Sequence, residues 1–183
     1  MNNDNYWTLL DILRVFSGVL LLNAILSYLF TSSTLWGLDD SKYVDLHYWH
    51  YVIRGSPLIP FTIDSLRREV EDSGRLLLSF NKKVYDVSRN PGVYDPSNFK
   101  ARYSTFVGRD CTRMFLNGCF HDENQCTWDL RNIGFDADWV ETSIEHWEKF
   151  YSENRKFWLG GYLEGEEYRC VPEKCMDGMR YPN

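Results

Sequence analysis

The chain has 183 residues and a net charge of −6, and 44% of its residues are hydrophobic against 25% charged. This balance is typical of a folded protein and argues against a disordered chain. It also argues against a nucleic-acid-binding protein, because phosphate contacts need a basic stripe that this sequence lacks. The length allows one domain of ordinary size and an appendage.

The first predicted element is a membrane-spanning helix, because no charged residue occurs in residues 15–38. An apolar helix of about 20 residues crosses the hydrocarbon core of a bilayer. A cleaved signal peptide is the alternative, but its apolar core is shorter and is followed by a small-residue cleavage site, which "TSSTLWG" does not resemble. We therefore predict an N-terminal tail over residues 1–14 and an anchor over residues 15–38. Asn23 in this anchor either hydrogen-bonds a neighbouring helix or is tolerated alone.

The charges around the anchor predict its orientation. Arg14 precedes the anchor, whereas Asp39, Asp40 and Lys42 follow it. By the positive-inside rule, this arrangement places the N-terminus in the cytosol and the rest of the chain across the membrane.

All five cysteines follow the anchor. The spacings of Cys119 with Cys126 and of Cys170 with Cys175 predict two short-range disulfides, which are typical of an oxidising lumen. A cytosolic domain with free thiols is the alternative. The cysteines therefore favour a domain on the lumenal side of a membrane, which we predict to be that of the endoplasmic reticulum or of another secretory-pathway compartment.

Residues 39–60 are predicted to be a juxtamembrane linker. Aromatic residues of this segment favour the headgroup layer of a bilayer, where a ring is half buried; they are Tyr43, Tyr48, Trp49 and Tyr51. His47 and His50 have a spacing that would allow a helical metal site, but no third ligand is close in sequence. Pro57 and Pro60 mark the end of the linker.

The globular domain is predicted over residues 61–168, with a C-terminal tail over residues 169–183. A helix in "FTIDSLRREVEDSG" is capped by Thr62 or Asp64 and stopped by Gly74. The runs "RLLLSF" and "KVYDVS" are predicted strands of a hairpin that turns at Asn81 and Lys82.

Two more helices and a strand complete the predicted α+β domain. Asp110 caps a short helix that stops at Asn117-Gly118, and a longer helix begins after Asp138. The run "KFWLGGYL", which begins at Lys156, is the predicted last strand.

Four segments of this domain resemble the membrane-associated progesterone receptor family, a branch of the cytochrome b5-like haem/steroid-binding domains. The segments are "FTIDSL", "KVYDVS", "YSTFVGRDCTRMF" and "WEKFYSENRKFWLGGYL", in the family's order and spacing over about residues 61–163. The resemblance implies an α+β fold, a cytochrome b5-like haem/steroid-binding domain preceded by a single transmembrane helix. The last segment looks most like secretory-pathway members of the family.

The resemblance implies a cofactor site for haem. Tyr103 matches the tyrosine that ligates the haem iron, Tyr94 matches a second pocket tyrosine, and Lys156 matches a lysine that contacts the haem carboxylates. A phenolate is a hard ligand suited to ferric iron, and a cation such as Arg102 or Lys156 would favour the phenolate form. The alternative is that both tyrosines are packing residues of a tyrosine-rich chain.

The sequence departs from the family pattern at three places. The Gly-Pro-x-Gly turn between the two tyrosines is replaced by the longer, glycine-free "DPSNFKAR", Phe157 stands where the family has a tyrosine, and Cys111 stands where it has a small alanine. In the family, the glycines of this turn allow the backbone to approach a flat ligand closely. The glycine-free loop of this sequence places side chains there instead.

Two functions follow from these observations. The first is a non-catalytic accessory subunit that holds a multi-span membrane protein. The alternative is a membrane-anchored haem- or sterol-binding protein with tyrosinate-ligated ferric haem. We predict no enzymatic activity, because the sequence has no P-loop, dinucleotide-binding or HExxH motif and no acidic pair with acid/base spacing.

Overall fold

The computed structural model describes residues 8–55, 58–165 and 171–175. Its first helix, α1, spans Leu9–Thr31, and it is the one helix among these residues that is long and apolar enough to cross a membrane. The helix starts earlier than the predicted anchor, because Thr8 and Asp11 form a capping box. The Thr8 hydroxyl accepts from the Asp11 amide, and the Asp11 carboxylate accepts from the Thr8 amide. At about 35 Å, its length matches the hydrocarbon core of a bilayer.

The chain after α1 folds back onto the last turns of the helix. Ser32 adopts a left-handed conformation (φ 56°) and ends the helix. The Ser27 hydroxyl then donates to the carbonyl oxygen of Ser33 at 2.6 Å, and the Trp36 indole donates to the Asn23 side-chain oxygen at 3.2 Å. Asn23 therefore has a partner in its own chain, which is neither of the two alternatives derived from the sequence.

The predicted juxtamembrane linker contains regular structure. It begins with a 3-10 turn, Lys42–Val44, and continues into helix α2, Leu46–Arg54. Asp45 caps α2 by accepting from the His47 amide at 2.8 Å, and Gly55 ends it. The first strand, β1, covers Ile59–Phe61, so Pro60 lies in a strand, whereas Pro57 lies outside the described residues.

One four-stranded sheet forms the centre of the domain, in the order β1-β4-β3-β2. The remaining strands are β2 Leu77–Phe80, β3 Lys83–Asp86 and β4 Trp158–Leu163. The predicted hairpin between β2 and β3 is confirmed: Asn81 and Lys82 both have positive φ (50° and 60°), as a two-residue hairpin turn requires. β1 pairs in parallel with β4, and Gly161 of β4 has to be glycine because a Cβ there would lie 2.3 Å from the carbonyl oxygen of Ile59.

Four helices and two 3-10 turns connect the strands of the sheet. They are α3 Ile63–Ser73, α4 Pro91–Tyr94, α5 Thr112–Asn117 and α6 Ala137–Glu153, with 3-10 turns at Ser104–Phe106 and Glu123–Gln125. Thr62 caps α3, which decides between the two predicted caps. The predicted start of α6 is two residues too late, because Asp136 rather than Asp138 accepts from the Trp139 amide (2.8 Å).

The disulfide pairing predicted from the sequence is wrong. Cys111 is bonded to Cys126, and Cys119 is bonded to Cys175. α5 explains the first bond, because the Arg113 amide in its first turn donates to the carbonyl oxygen of Thr127 (2.9 Å) and draws the following segment to the helix start. Cys119 lies beyond the other end of α5, where residues 171–175 return. Cys170 lies outside the described residues.

A fully buried arginine fixes the loop that these disulfides enclose. The Arg113 guanidinium donates to the Gln125 side-chain oxygen at 2.7 Å and to the carbonyl oxygens of Arg131 and Asn132 at 2.8 and 3.0 Å. Burial lowers the pKa of Arg113, and the nearby charge of Asp129 acts in the opposite direction. The loop is therefore held by backbone acceptors as well as by the two covalent bonds.

Candidate functional site

The loop of residues 95–102 brings Tyr94 and Tyr103 together. Tyr94 ends α4, and Tyr103 immediately precedes the 3-10 turn Ser104–Phe106. The Tyr103 amide donates to the carbonyl oxygen of Val93 (3.1 Å), which closes the loop at its base. The two ring centroids are 6.2 Å apart, so the rings of the two tyrosines lie side by side.

The loop closes without glycine because its own side chains bind its amides. Asp95 accepts from the Ser97 amide and hydroxyl at 2.8 and 2.7 Å, and Asn98 accepts from the Lys100 amide at 3.0 Å. Such Asx turns replace the backbone freedom that glycine would supply. Phe99, which is 92% exposed, lies at the tip of this loop and contributes little to its folding.

Tyr103 presents a hydroxyl group that makes no hydrogen bond within the described part of the chain. Its ring stacks on Phe106 with centroids 5.5 Å apart and meets Phe120 edge-on at 6.3 Å. The residue is 37% exposed. The Tyr103 hydroxyl, beside the exposed Phe120 ring, is thus open to a ligand from solvent.

Tyr94 is in a different environment from Tyr103. It is buried, and its hydroxyl lies 3.3 Å from the hydroxyl of Tyr151. Burial raises the pKa of both phenols, so both are neutral at physiological pH. The Tyr94 ring also contacts the ring of Phe157, with centroids 5.8 Å apart. Phe157 is the residue that stands where the resembled family has a tyrosine. Tyr94 therefore packs against the ring of Tyr103, and its hydroxyl is paired with the hydroxyl of Tyr151.

Lys156 is engaged by the segment that leads from α1. Its ammonium group donates to the Asp40 carboxylate at 2.9 Å, and this hydrogen bond lowers the pKa of Asp40. The Lys42 amide donates to the carbonyl oxygen of Arg155 (2.8 Å), and the Lys42 ammonium reaches the carbonyl oxygen of Asn154 (3.3 Å). Residues 40–42 thus dock on the loop that carries the predicted lysine, an arrangement that sequence reasoning missed.

Asp45 attaches the same segment to the sheet. Its carboxylate lies 3.1 Å from Arg75 and 3.5 Å from Arg89, and Arg75 also binds Asp86 on β3. Burial alone would raise the pKa of Asp45, but the hydrogen bond from Arg75 and the surrounding charges lower it overall. Because the folded pKa is depressed, the contact stabilises the fold at neutral pH and loses this contribution as the pH falls below the ordinary carboxyl value of 3.8 and through the lowered pKa.

Two cavities of the domain lie away from the candidate tyrosines. A cavity of about 230 Å³ lies beside Arg67, Arg109 and Trp128, and an apolar cavity of about 490 Å³ lies between Ile133 and Ile144. Neither of these two cavities is lined by Tyr94 or Tyr103.

The resemblance predicted from the motifs is confirmed by sequence similarity: the chain is similar to neuferricin and protein vem-1, which are members of the membrane-associated progesterone receptor family. It is 34% identical over 94 residues to mouse neuferricin, which is 51% of this chain and 32% of the relative. It is 32% identical over 93 residues to protein vem-1 of Caenorhabditis elegans, which is 50% of this chain and 48% of the relative. The matched part thus spans at most about half of these relatives. No family model matches the sequence.

Two solved structures of Arabidopsis proteins are also similar. One, a hypothetical protein with a cytochrome b5-like fold, has a TM-score of 0.47 and 20% identity, and the match covers 59% of this chain and 93% of that one. The other, a putative steroid-binding protein, has a TM-score of 0.47 and 19% identity, and the match covers 60% of this chain and 100% of that one.

The two buried phenols generate a stability prediction. Tyr94→Phe removes the partner of the Tyr151 hydroxyl and leaves it buried and unsatisfied, so we expect a loss of about 1–3 kcal/mol in the free energy of unfolding. The double change Tyr94→Phe/Tyr151→Phe should cost less than the sum of the two single changes, since it removes both ends of the contact.

Tyr103→Phe is the matched control, because its hydroxyl has no partner within the described residues; it should change stability by less than about 0.5 kcal/mol. Denaturant unfolding of the full chain in detergent measures all four variants. Strictly additive costs for Tyr94 and Tyr151 would contradict the hydrogen bond.

Proposed function

We propose that the protein is a single-pass membrane protein whose cytochrome b5-like domain binds a flat apolar ligand, haem or a sterol, on the face around Tyr103. The observation that carries the proposal is the exposed Tyr103 ring, whose hydroxyl has no partner in the described chain, beside the apolar rings of Phe106 and Phe120. The relation to a haem/steroid-binding family supports the same ligand class.

Two exposed residues of this face have the chemistry that haem needs. Tyr103 would supply a phenolate oxygen to ferric iron, and the exposed Phe120 ring would contact the porphyrin plane. Lys156 would bind a haem carboxylate, with Tyr94 supporting the ligating ring. When bound, the haem would supply a redox-active ferric centre; the domain's own residues hold and orient it.

Lys156 links the ligand to the membrane-proximal segment. A haem carboxylate would have to displace Asp40, which holds the ammonium group at 2.9 Å. The competition is feasible because Asp40 is largely exposed, and exposed ion pairs contribute only about 0–1 kcal/mol. Ligand binding would therefore loosen one of the contacts between residues 40–45 and the domain.

Helix α1 would anchor the protein in the membrane of the endoplasmic reticulum or another secretory compartment, with the domain in the lumen. The two disulfides support the lumenal side, because oxidising compartments maintain such bonds and the cytosol reduces them.

A second role is that of a non-catalytic accessory subunit of a multi-span membrane protein. Two observations favour it: Phe99 is 92% exposed at the tip of the loop of residues 95–102, and the docked segment of residues 40–45 keeps the domain close to the end of α1. An exposed aromatic ring of this kind is a suitable anchor in a protein interface.

The ligand assignment predicts the spectrum of the purified full chain. After incubation with ferric haem in mild detergent, the wild type should show a Soret band, and Tyr103→Phe should lose it because only the ligand oxygen is removed. Tyr162→Phe is the control, because Tyr162 is equally exposed but lies on β4 and binds Glu164. It should keep the wild-type band.

A full Soret band in Tyr103→Phe would contradict the ligand assignment. A wild type without haem that leaves native membranes together with a larger protein would favour the accessory role instead. A monomer that takes up neither haem nor a sterol would contradict both roles.

The lumenal orientation predicts thiol reactivity. Four of the five cysteines form the two disulfides, so a maleimide should label at most one cysteine in protein purified without reductant. A non-reducing peptide map should recover Cys111 with Cys126 and Cys119 with Cys175. Labelling of all five cysteines would place the domain in the cytosol.

A further inference from the structure

Helix α2 exposes an apolar ridge. Leu46 and Ile53 are seven residues apart, hence on one face of the helix, and they are 83% and 77% exposed. Trp49 and Val52 flank them and are also exposed. A contiguous exposed apolar patch on a small domain marks a surface that contacts a membrane or another protein.

The opposite side of α2 is fixed to the domain. Tyr48 packs edge-on against Trp158 of β4, with centroids 5.6 Å apart, and against Tyr43 at 5.7 Å. Asp45 at the start of the helix is held by Arg75. Because of these contacts, the helix cannot rotate to bury the ridge against its own domain.

The connection from α1 to α2 is compact. The Trp36 amide donates to the Ser27 hydroxyl (2.6 Å), so the chain is still beside α1 at this point. From there to α2, successive amide-to-carbonyl bonds three residues apart form consecutive turns; they join Leu38 to Leu35, Ser41 to Leu38, Val44 to Ser41 and Asp45 to Lys42. The start of α2 is therefore near the C-terminal end of the candidate membrane span.

The residues around the ridge suit a lipid interface. Arg54 ends α2, His50 lies between Leu46 and Ile53 on the exposed face, and no acidic side chain occurs within Leu46–Arg54. The Trp49 indole already donates to the carbonyl oxygen of Tyr43 (2.7 Å), so its ring can enter an apolar layer without an unsatisfied donor. Apolar residues with basic neighbours and an aromatic ring are typical of helices that lie in the plane of a membrane surface.

We propose that α2 is an interfacial helix whose Leu46–Ile53 ridge lies at the boundary between headgroups and acyl chains of the bilayer that α1 spans. The partner is the lipid itself, and the exposed Arg54 at the end of α2 would meet headgroup phosphates. This inference rests on the membrane anchoring in the proposed function and adds a second membrane contact to it. Two contacts would fix the orientation of the domain, and with it the direction in which the Tyr103 face points.

Photocrosslinking in a bilayer tests the interfacial helix. The full chain is reconstituted into vesicles of phosphatidylcholine and phosphatidylserine with p-benzoylphenylalanine in place of one residue at a time. Leu20 of α1 is the anchor control, Ile53 is the test position, and Glu145 on the exposed side of α6 is the control away from the membrane. Because all three side chains are exposed, the probe should leave the packing intact.

We expect lipid adducts by mass spectrometry at positions 20 and 53, with yields at position 53 at least tenfold above those at position 145. Adducts at position 20 with only background at position 53 would overturn the interfacial helix and leave the anchoring intact. Absence of lipid adducts at position 20 would overturn the anchoring and this inference together. Adducts at position 53 to a second polypeptide, without lipid, would make the ridge a protein interface and overturn the lipid assignment.

Discussion

The docking of residues 40–45 on the domain is the contact on which the remaining functional geometry depends. It combines three kinds of interaction: the backbone hydrogen bond from the Lys42 amide to the Arg155 carbonyl oxygen, the ion pair of Asp40 with Lys156, and the contact of the Asp45 carboxylate with Arg75. The Asp45 contact contributes more than the exposed Asp40 pair, because its carboxylate is shielded from water and faces two guanidinium groups. Through it, the segment after α1 becomes part of the domain instead of a flexible tether.

Under the proposed function, this attachment would give Lys156 and Tyr103 different chemical roles. Lys156 would be a shared residue, because the membrane-proximal segment and a ligand carboxylate would use the same ammonium group. Tyr103 is independent of the segment: its ring is set by Phe106 and by the closure of the loop at Val93, while Tyr94 is bound to Tyr151 below it. The rings around Tyr103 can thus keep their arrangement whether or not Asp40 is released from Lys156. Ligand binding would then change the contacts of the membrane-proximal segment through Lys156 alone.

The sequence predicted those parts of the fold that depend on neighbouring residues. The turn at Asn81-Lys82 and the cap at Thr62 are local, since each requires only a few adjacent side chains, and the resemblance placed Tyr94 and Tyr103 in one region. The missed features depend on residues that are far apart in the chain. Asp40 and Lys156 are separated by 116 positions and the bonded Cys119 and Cys175 by 56, so no local spacing indicates either contact. The aromatic run of residues 43–51 predicted a membrane-surface location but not which rings face the domain, because that depends on the position of β4.

Hydrogen exchange of the full chain in a bilayer tests most directly whether the membrane-proximal segment is part of the domain. The Lys42 and Asp45 amides donate to Arg155 and Lys42 carbonyl oxygens, respectively, so they should exchange as slowly as the paired amides of β4. Asp45→Asn, which removes the charge that faces Arg75 and Arg89 but leaves Arg75 paired with Asp86, should speed their exchange without affecting β2 and β3 to the same extent. Exchange of residues 41–45 at the rate of an unstructured peptide, with β4 still protected, would contradict the docking of the segment on the domain.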